Sequence, residues 1–194
     1  MCFFSWKKSD LYDRRTGSCV VLPCGRCIGC RLDSLAIWSV RASYEMVKYR
    51  NAFVTFTYDT LHLPYNVGSL VPTLRKDDFH KFLNSFRHNI RNNYTNCMPY
   101  LCTPDYKYYC VGEYGDSFQR PHYHALFFGL DFYDFSKVFS KYWLNGSVQS
   151  DSVSKSSIRY VFDYMTKSAK GSFAENLYDF NGRERPFNFC FNSV

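Results

Sequence analysis

No stretch of this 194-residue chain approaches the ~18 consecutive apolar residues that a membrane-spanning helix needs; the longest clean run is Ala125-Leu-Phe-Phe-Gly-Leu130. The N-terminus, Met-Cys-Phe-Phe-Ser-Trp-Lys-Lys, has no apolar segment of signal-peptide length. Internal repeats and low-complexity linkers are missing, and no G-x4-G-K-[ST] phosphate loop occurs. These absences exclude helical membrane spans, a repeat array and a built-in P-loop motor. Acidic residues are also in deficit: 17 Asp and Glu face 24 Lys and Arg, for a formal charge of +7. With 46% hydrophobic and 21% charged residues the chain is no disordered tail. The expectation is one compact soluble domain with no membrane partner, retained in the cell that makes it.

What is abundant is aromatic: 17 Tyr, 19 Phe and 3 Trp, a fifth of the chain. Most of these rings must be core, while an exposed minority could stack on nucleic-acid bases. The basic surplus sits at the front, where residues 1–50 hold nine Lys and Arg against four Asp and Glu. A polyanion is a fair partner for such a surface. The nine cysteines are an odd count without a signal peptide, which argues against a disulfide framework. Five fall in the first thirty residues, and Pro23-Cys-Gly-Arg-Cys-Ile-Gly-Cys-Arg31 spaces three at C-x2-C-x2-C. Such spacing is compatible with reduced thiols in a turn. It also suits a structural zinc on Cys24, Cys27 and Cys30, with Cys2 or Cys19 as fourth ligand, Cys2 being preferred.

The pattern divides into a Cys-rich segment over 1–31 and one domain over 32–194. A helix is expected over 31–49 with Leu32, Leu35, Ala36, Ser39, Ala42, Met46 and Val47 on its packed face. Strands are expected over 52–58, 106–113, 122–128 and 146–153. Further helices are expected near 79–90, capped by Thr73 or Asp78, around 134–144, and over 155–170 with a stop at Gly171. The fold class is α+β: a central antiparallel sheet of about five strands flanked by helices, on a ferredoxin-like or RNA-recognition-like plan.

Two constellations carry chemistry. In His122-Tyr-His124 the period of a strand sends both imidazoles to one face and Tyr123 to the other. An eight-residue connection returns Glu113 to the same end of the hairpin, and two His with a carboxylate make a mixed N/O site suited to Mg2+ or Mn2+. In Tyr160-Val-Phe-Asp-Tyr-Met-Thr-Lys167, positions i, i+4 and i+7 bring Tyr160, Tyr164 and Lys167 to one helical face. Beside a metal, a phenol nucleophile and an ammonium are the parts of phosphoryl transfer through phosphotyrosine.

The stretch Gly112-Glu-Tyr-Gly, followed by Arg120-Pro-His-Tyr-His-Ala-Leu-Phe-Phe-Gly129, resembles the metal hairpin of HUH endonucleases. Tyr160 to Lys167 resembles their nucleophile motif, and Phe53-Val-Thr-Phe-Thr-Tyr-Asp59 their first strand motif. With the cysteine knuckle, the set looks most like the replication initiators of Microviridae, especially the gokushovirus branch. That resemblance implies a phage-encoded nickase acting on single-stranded or origin DNA in the bacterial cytoplasm. It would form a 5′-phosphotyrosine, join strands, and work beside a host polymerase and helicase. It also implies His122, His124 and Glu113 as metal ligands, and Tyr160, Tyr164 and Lys167 as catalytic groups. Such initiators usually continue beyond the nucleophile helix, so the chain is expected to be a minimal nickase domain or part of a longer one. A reading from a different class is a non-catalytic, zinc-containing module that binds single-stranded nucleic acid.

Overall fold

Alternation of β-branched and aromatic residues over Asn51–Tyr58 makes a strand, β3, whose Ala52, Val54, Phe56 and Tyr58 are buried while the residues between them are half-exposed. It sits inside a five-stranded antiparallel sheet of order β6-β3-β5-β4-β7. The other strands are β4 (Cys102–Tyr114), β5 (Pro121–Leu130), β6 (Gly146–Asp151) and β7 (Phe187–Phe191). The computed structural model describes residues 2, 6–93, 102–130, 132–167 and 174–191. The molecule is thus the expected α+β fold, with helices on both faces of the sheet.

One face is covered by α2 (Lys76–Asn93) and α3 (Phe132–Ser140). Here Phe56 meets Phe79, Phe82, Phe139 and Trp143 at ring-centroid separations of 4.6–5.9 Å, so this share of the aromatic excess is core. The other face is covered by α1 (Ile28–Lys48) and α4 (Lys155–Lys167), where Ala42, Ile158, Val161 and Phe162 pack over Tyr109, Val111, Leu126 and Phe128. Period-two geometry therefore assigns each strand residue to one of two cores.

Several boundaries differ from the sequence-based expectation. Helix α1 packs through Leu35, Trp38, Ala42 and Met46, whereas Leu32 and Val47 are 51% and 83% exposed. The indole decides this rotation, because Trp38 packs its ring against Tyr109 and Phe162. Helix α2 begins at Lys76, so Asp78 lies inside its first turn, where a carboxylate suits the helix dipole, and accepts the Tyr58 hydroxyl at 2.8 Å. Thr73 precedes the helix and accepts the Glu184 amide. Helix α3 ends at Ser140, short of the expected 144. Strand β7 and the hairpin of β1 (Trp6–Tyr12) with β2 (Cys19–Leu22) have no counterpart in that expectation. The expected stop of α4 at Gly171 lies outside the described residues.

Candidate active site

The face of the sheet under α1 and α4 carries the polar cluster. Strand β5 alternates Tyr123, Ala125 and Phe127 toward α2 and α3, and His124, Leu126 and Phe128 toward α1 and α4. Antiparallel pairing sets Glu113 of β4 opposite His122, and Thr55 of β3 opposite His124. Glu113 is 1% exposed, and its Oε1 lies 2.9 Å from Nε2 of both histidines. Each ring is oriented from its far side: His122 Nδ1 donates to the Arg120 carbonyl at 3.0 Å, and His124 Nδ1 lies 3.0 Å from Thr55 Oγ1. Phe53 stacks on His124 at 5.5 Å. Sequence reasoning missed Thr55 and Phe53; their signal was the strand motif 53–59, whose register against β5 no spacing rule supplies.

Helix α4 brings the phenols. Its start is fixed by reciprocal bonds between Ser154 and Ser157: the Ser157 amide donates to Ser154 Oγ at 3.1 Å and the Ser154 amide to Ser157 Oγ at 2.8 Å. Buried Val153 and Ile158, on either side of this cap, belong to the same core, in the manner of a hydrophobic staple. Two turns on, the Tyr160 hydroxyl donates to Glu113 Oε1 at 3.0 Å and lies 3.4 Å from His124 Nε2. The Tyr164 hydroxyl lies 3.4 Å from that of Tyr160. Lys167 closes the helix, and its side chain lies outside the described part of the structure. Replacing Ser154 with Ala is expected to destabilise the fold by ~1 kcal/mol, read from urea unfolding; an unchanged midpoint would show that the cap contributes nothing.

The electrostatics are those of a charged knot. Burial drives Glu113 upward, but the hydrogen bonds from His122 and His124 outweigh it and hold the carboxyl below its usual range. Burial lowers His122, while its bonds to Glu113 and to the Arg120 carbonyl leave it raised overall. Burial, then the Glu113 charge, push the Tyr160 phenol well above its ordinary value, so its oxygen needs positive charge nearby to become a nucleophile. A cavity of about 460 Å3 opens beside this cluster, lined by Phe53, His124, Asp151, Ser154, Ser157 and Tyr160.

The donor set fits a divalent cation. Glu113 Oε2 is buried and without a hydrogen-bond partner, both imidazoles present Nε2, and one ligand atom from each residue lies within 4.8 Å of the others. A second group, Cys2, Cys24, Cys27 and Cys30, gathers at the head of α1 under the same criterion, without Cys19. Among the remaining cysteines Cys110 is buried and Cys190 exposed. No helix among the described residues is long and apolar enough to cross a membrane.

Residues 51–169 match the family of replication-associated proteins of the ORF2 type, a stretch that contains all of the Glu113, His122, His124 and tyrosine positions. The chain is 34% identical over 162 residues to the replication-associated protein ORF2 of Spiroplasma virus 4, covering 75% of this chain and 48% of that protein. It is 29% identical over 164 residues to replication-associated protein VP4 of Bdellovibrio phage phiMH2K, with the same coverages. Against replication-associated protein ORF4 of Chlamydia phage 1 it is 26% identical over 165 residues, 75% of this chain and 38% of that one. The chain thus spans about half or less of the length of these relatives. The N-terminal nuclease domain of minute virus of mice non-structural protein 1 aligns with 83% of this chain and 79% of its own, at 12% identity and a TM-score of 0.27, too loose to equate positions.

Proposed function

Because the chain belongs to the ORF2-type family of replication-associated proteins, we propose that it initiates rolling-circle replication of a small single-stranded DNA phage by nicking the origin and later rejoining the strand. The observation that carries this reading is the convergence of Tyr160 and both histidines on a single carboxylate oxygen, at 3.0, 2.9 and 2.9 Å. A nucleophile held against a buried N/O donor set is an arrangement for attack on a phosphodiester, which a structural tyrosine has no need of.

His122, His124 and Glu113 would hold Mg2+ or Mn2+, which when bound supplies positive charge to a phosphodiester oxygen. The other tasks belong to the chain. Tyr160 Oη attacks phosphorus, a Tyr–O–P bond forms and the P–O3′ bond breaks. The phenol loses one proton and the departing 3′ oxygen gains one, so the products are a 5′-phosphotyrosine and a 3′-hydroxyl. The new ester conserves the energy of the cleaved one, so joining needs no ATP. Tyr164 stands one helical turn away as a second nucleophile for the regenerated junction, and Lys167 would neutralise charge developing in the reaction. Phe53 and the cavity beside it would receive a nucleotide next to the scissile phosphate, and the basic N-terminal segment would meet phosphates. A host polymerase would extend the 3′-hydroxyl and a helicase would open the duplex, in the cytoplasm of the bacterial host.

The test is incubation with labelled single-stranded oligonucleotides tiling the phage genome, with Mg2+ or Mn2+. A protein–DNA band that survives denaturation is expected with one oligonucleotide, and only with added cation. Retarded complexes in native gels without any covalent band would instead fit a non-catalytic single-strand-binding module.

A further inference from the structure

The thiols at the head of α1 have no part in nicking, yet they are the most tightly organised group outside the site. Cys24 Sγ lies 3.8 Å from Cys30 Sγ, and Cys27 Sγ lies 3.9 Å from Cys2 Sγ. All four sulfurs fall within 4.8 Å of one another. A disulfide would require ~2.05 Å. A tetrahedron with zinc–sulfur bonds of ~2.3 Å has sulfur–sulfur edges of ~3.8 Å, and that is the spacing present.

The backbone is turned to suit charged sulfur. Amides of Arg26 and Cys27 point at Cys24 Sγ, at 3.5 and 3.4 Å, that of Cys30 at Cys27 Sγ, at 3.5 Å, and that of Cys24 at Cys2 Sγ, at 3.2 Å. Gly25, at φ +70°, makes the turn that a side chain would strain. A neutral thiol is a weak acceptor and has little use for such donors, whereas a thiolate, the form that ligates metals, does.

We infer that Cys2, Cys24, Cys27 and Cys30 bind one zinc ion in a closed tetrathiolate site that is structural and distinct from the His122, His124 and Glu113 cluster. All four positions come from protein, leaving none for substrate. Zn2+ with four thiolates carries two net negative charges, and the flanking Arg26 and Arg31 offset them. Binding releases the protons of those thiols that were neutral. The connectivity explains what the ion does. The Trp6↔Leu22 pairing of the β1–β2 hairpin sets the residue before β1 alongside the knuckle after β2, and Cys27 is itself the cap of α1. Helix α1 in turn packs on α4, with Trp38 against Phe162. The zinc thus ties the N-terminal hairpin to the helix that backs the tyrosine helix.

The experiment measures metal in the full chain purified untagged under reducing conditions, with the catalytic cation removed by gel filtration. One zinc per chain is expected in the wild type and in His122→Ala/His124→Ala, falling to none in Cys24→Ser/Cys27→Ser. Because that last variant can lose zinc by misfolding, the wild type is also reconstituted with Co2+. Intense thiolate-to-cobalt charge-transfer absorption with tetrahedral d–d bands is expected. Metal-free wild type, iron in place of zinc, retention of zinc by the cysteine variant, or a cobalt spectrum without thiolate bands would each overturn the inference. None of these outcomes depends on whether the chain nicks DNA.

Discussion

Replacing His122 and His124 together with alanine is expected to slow strand cleavage at least ~10^3-fold while leaving DNA affinity within a few-fold of wild type. The first expectation follows from charge. The two imidazoles and Glu113 are the donor set for the cation, and charge stabilisation of several kcal/mol converts at ~1.4 kcal/mol per decade of rate. The second follows from the division of labour in nucleic-acid recognition, where phosphate contacts supply most of the affinity. The histidines sit under α4 in a narrow cluster and the basic surplus lies elsewhere, in residues 1–50. Rates from quenched time courses and affinities from titration under the same salt separate the two. Undiminished nicking by the double variant in chelator-treated buffer would remove these residues from the reaction.

The second large effect concerns the phenols. A Tyr160→Phe/Tyr164→Phe chain should form no covalent adduct, whereas either single change should leave one cut and one adduct but impair repeated strand transfer. Phenylalanine keeps the ring that meets His124 at a centroid distance of 5.1 Å and removes only the oxygen, so folding should be unaffected. Tyr160→Phe should be the slower of the single variants, because the Tyr164 hydroxyl approaches the cluster across that of Tyr160, 3.4 Å away. Full strand transfer by Tyr164→Phe would show that one phenol suffices for both cuts. Adduct yield and circular product, measured on the same reactions, decide between these outcomes.

The parts of this molecule that can be read from sequence are those governed by local periodicity. His122 and His124 share a face because a strand repeats every two residues, and Tyr160 and Tyr164 share one because a helix repeats every 3.6. Glu113 can be placed because a short connection forces the ends of two strands together. Thr55 and Phe53 cannot, because their contacts with His124 depend on the register of β3 against β5, strands more than sixty residues apart in sequence. The packed face of α1 escapes periodicity for a related reason: several rotations bury comparable apolar area, and the fit of Trp38 between Tyr109 and Phe162 selects one. Strand β1, Trp-Lys-Lys-Ser-Asp-Leu-Tyr, carries no alternation and owes its conformation to pairing with β2. Strand β7 is a five-residue edge made legible only by its neighbour: a Cβ on Gly112 of β4 would stand 2.8 Å from the Phe187 ring.

Everything proposed for the reaction rests on a tyrosine of α4 becoming covalently attached to DNA. Proteolysis of the trapped adduct, followed by mass spectrometry of the nucleotide-bearing peptide, tests this most directly. A phosphodiester is expected on Tyr160 in the wild type and on Tyr164 in Tyr160→Phe. Linkage to any residue outside positions 160–164 would contradict it.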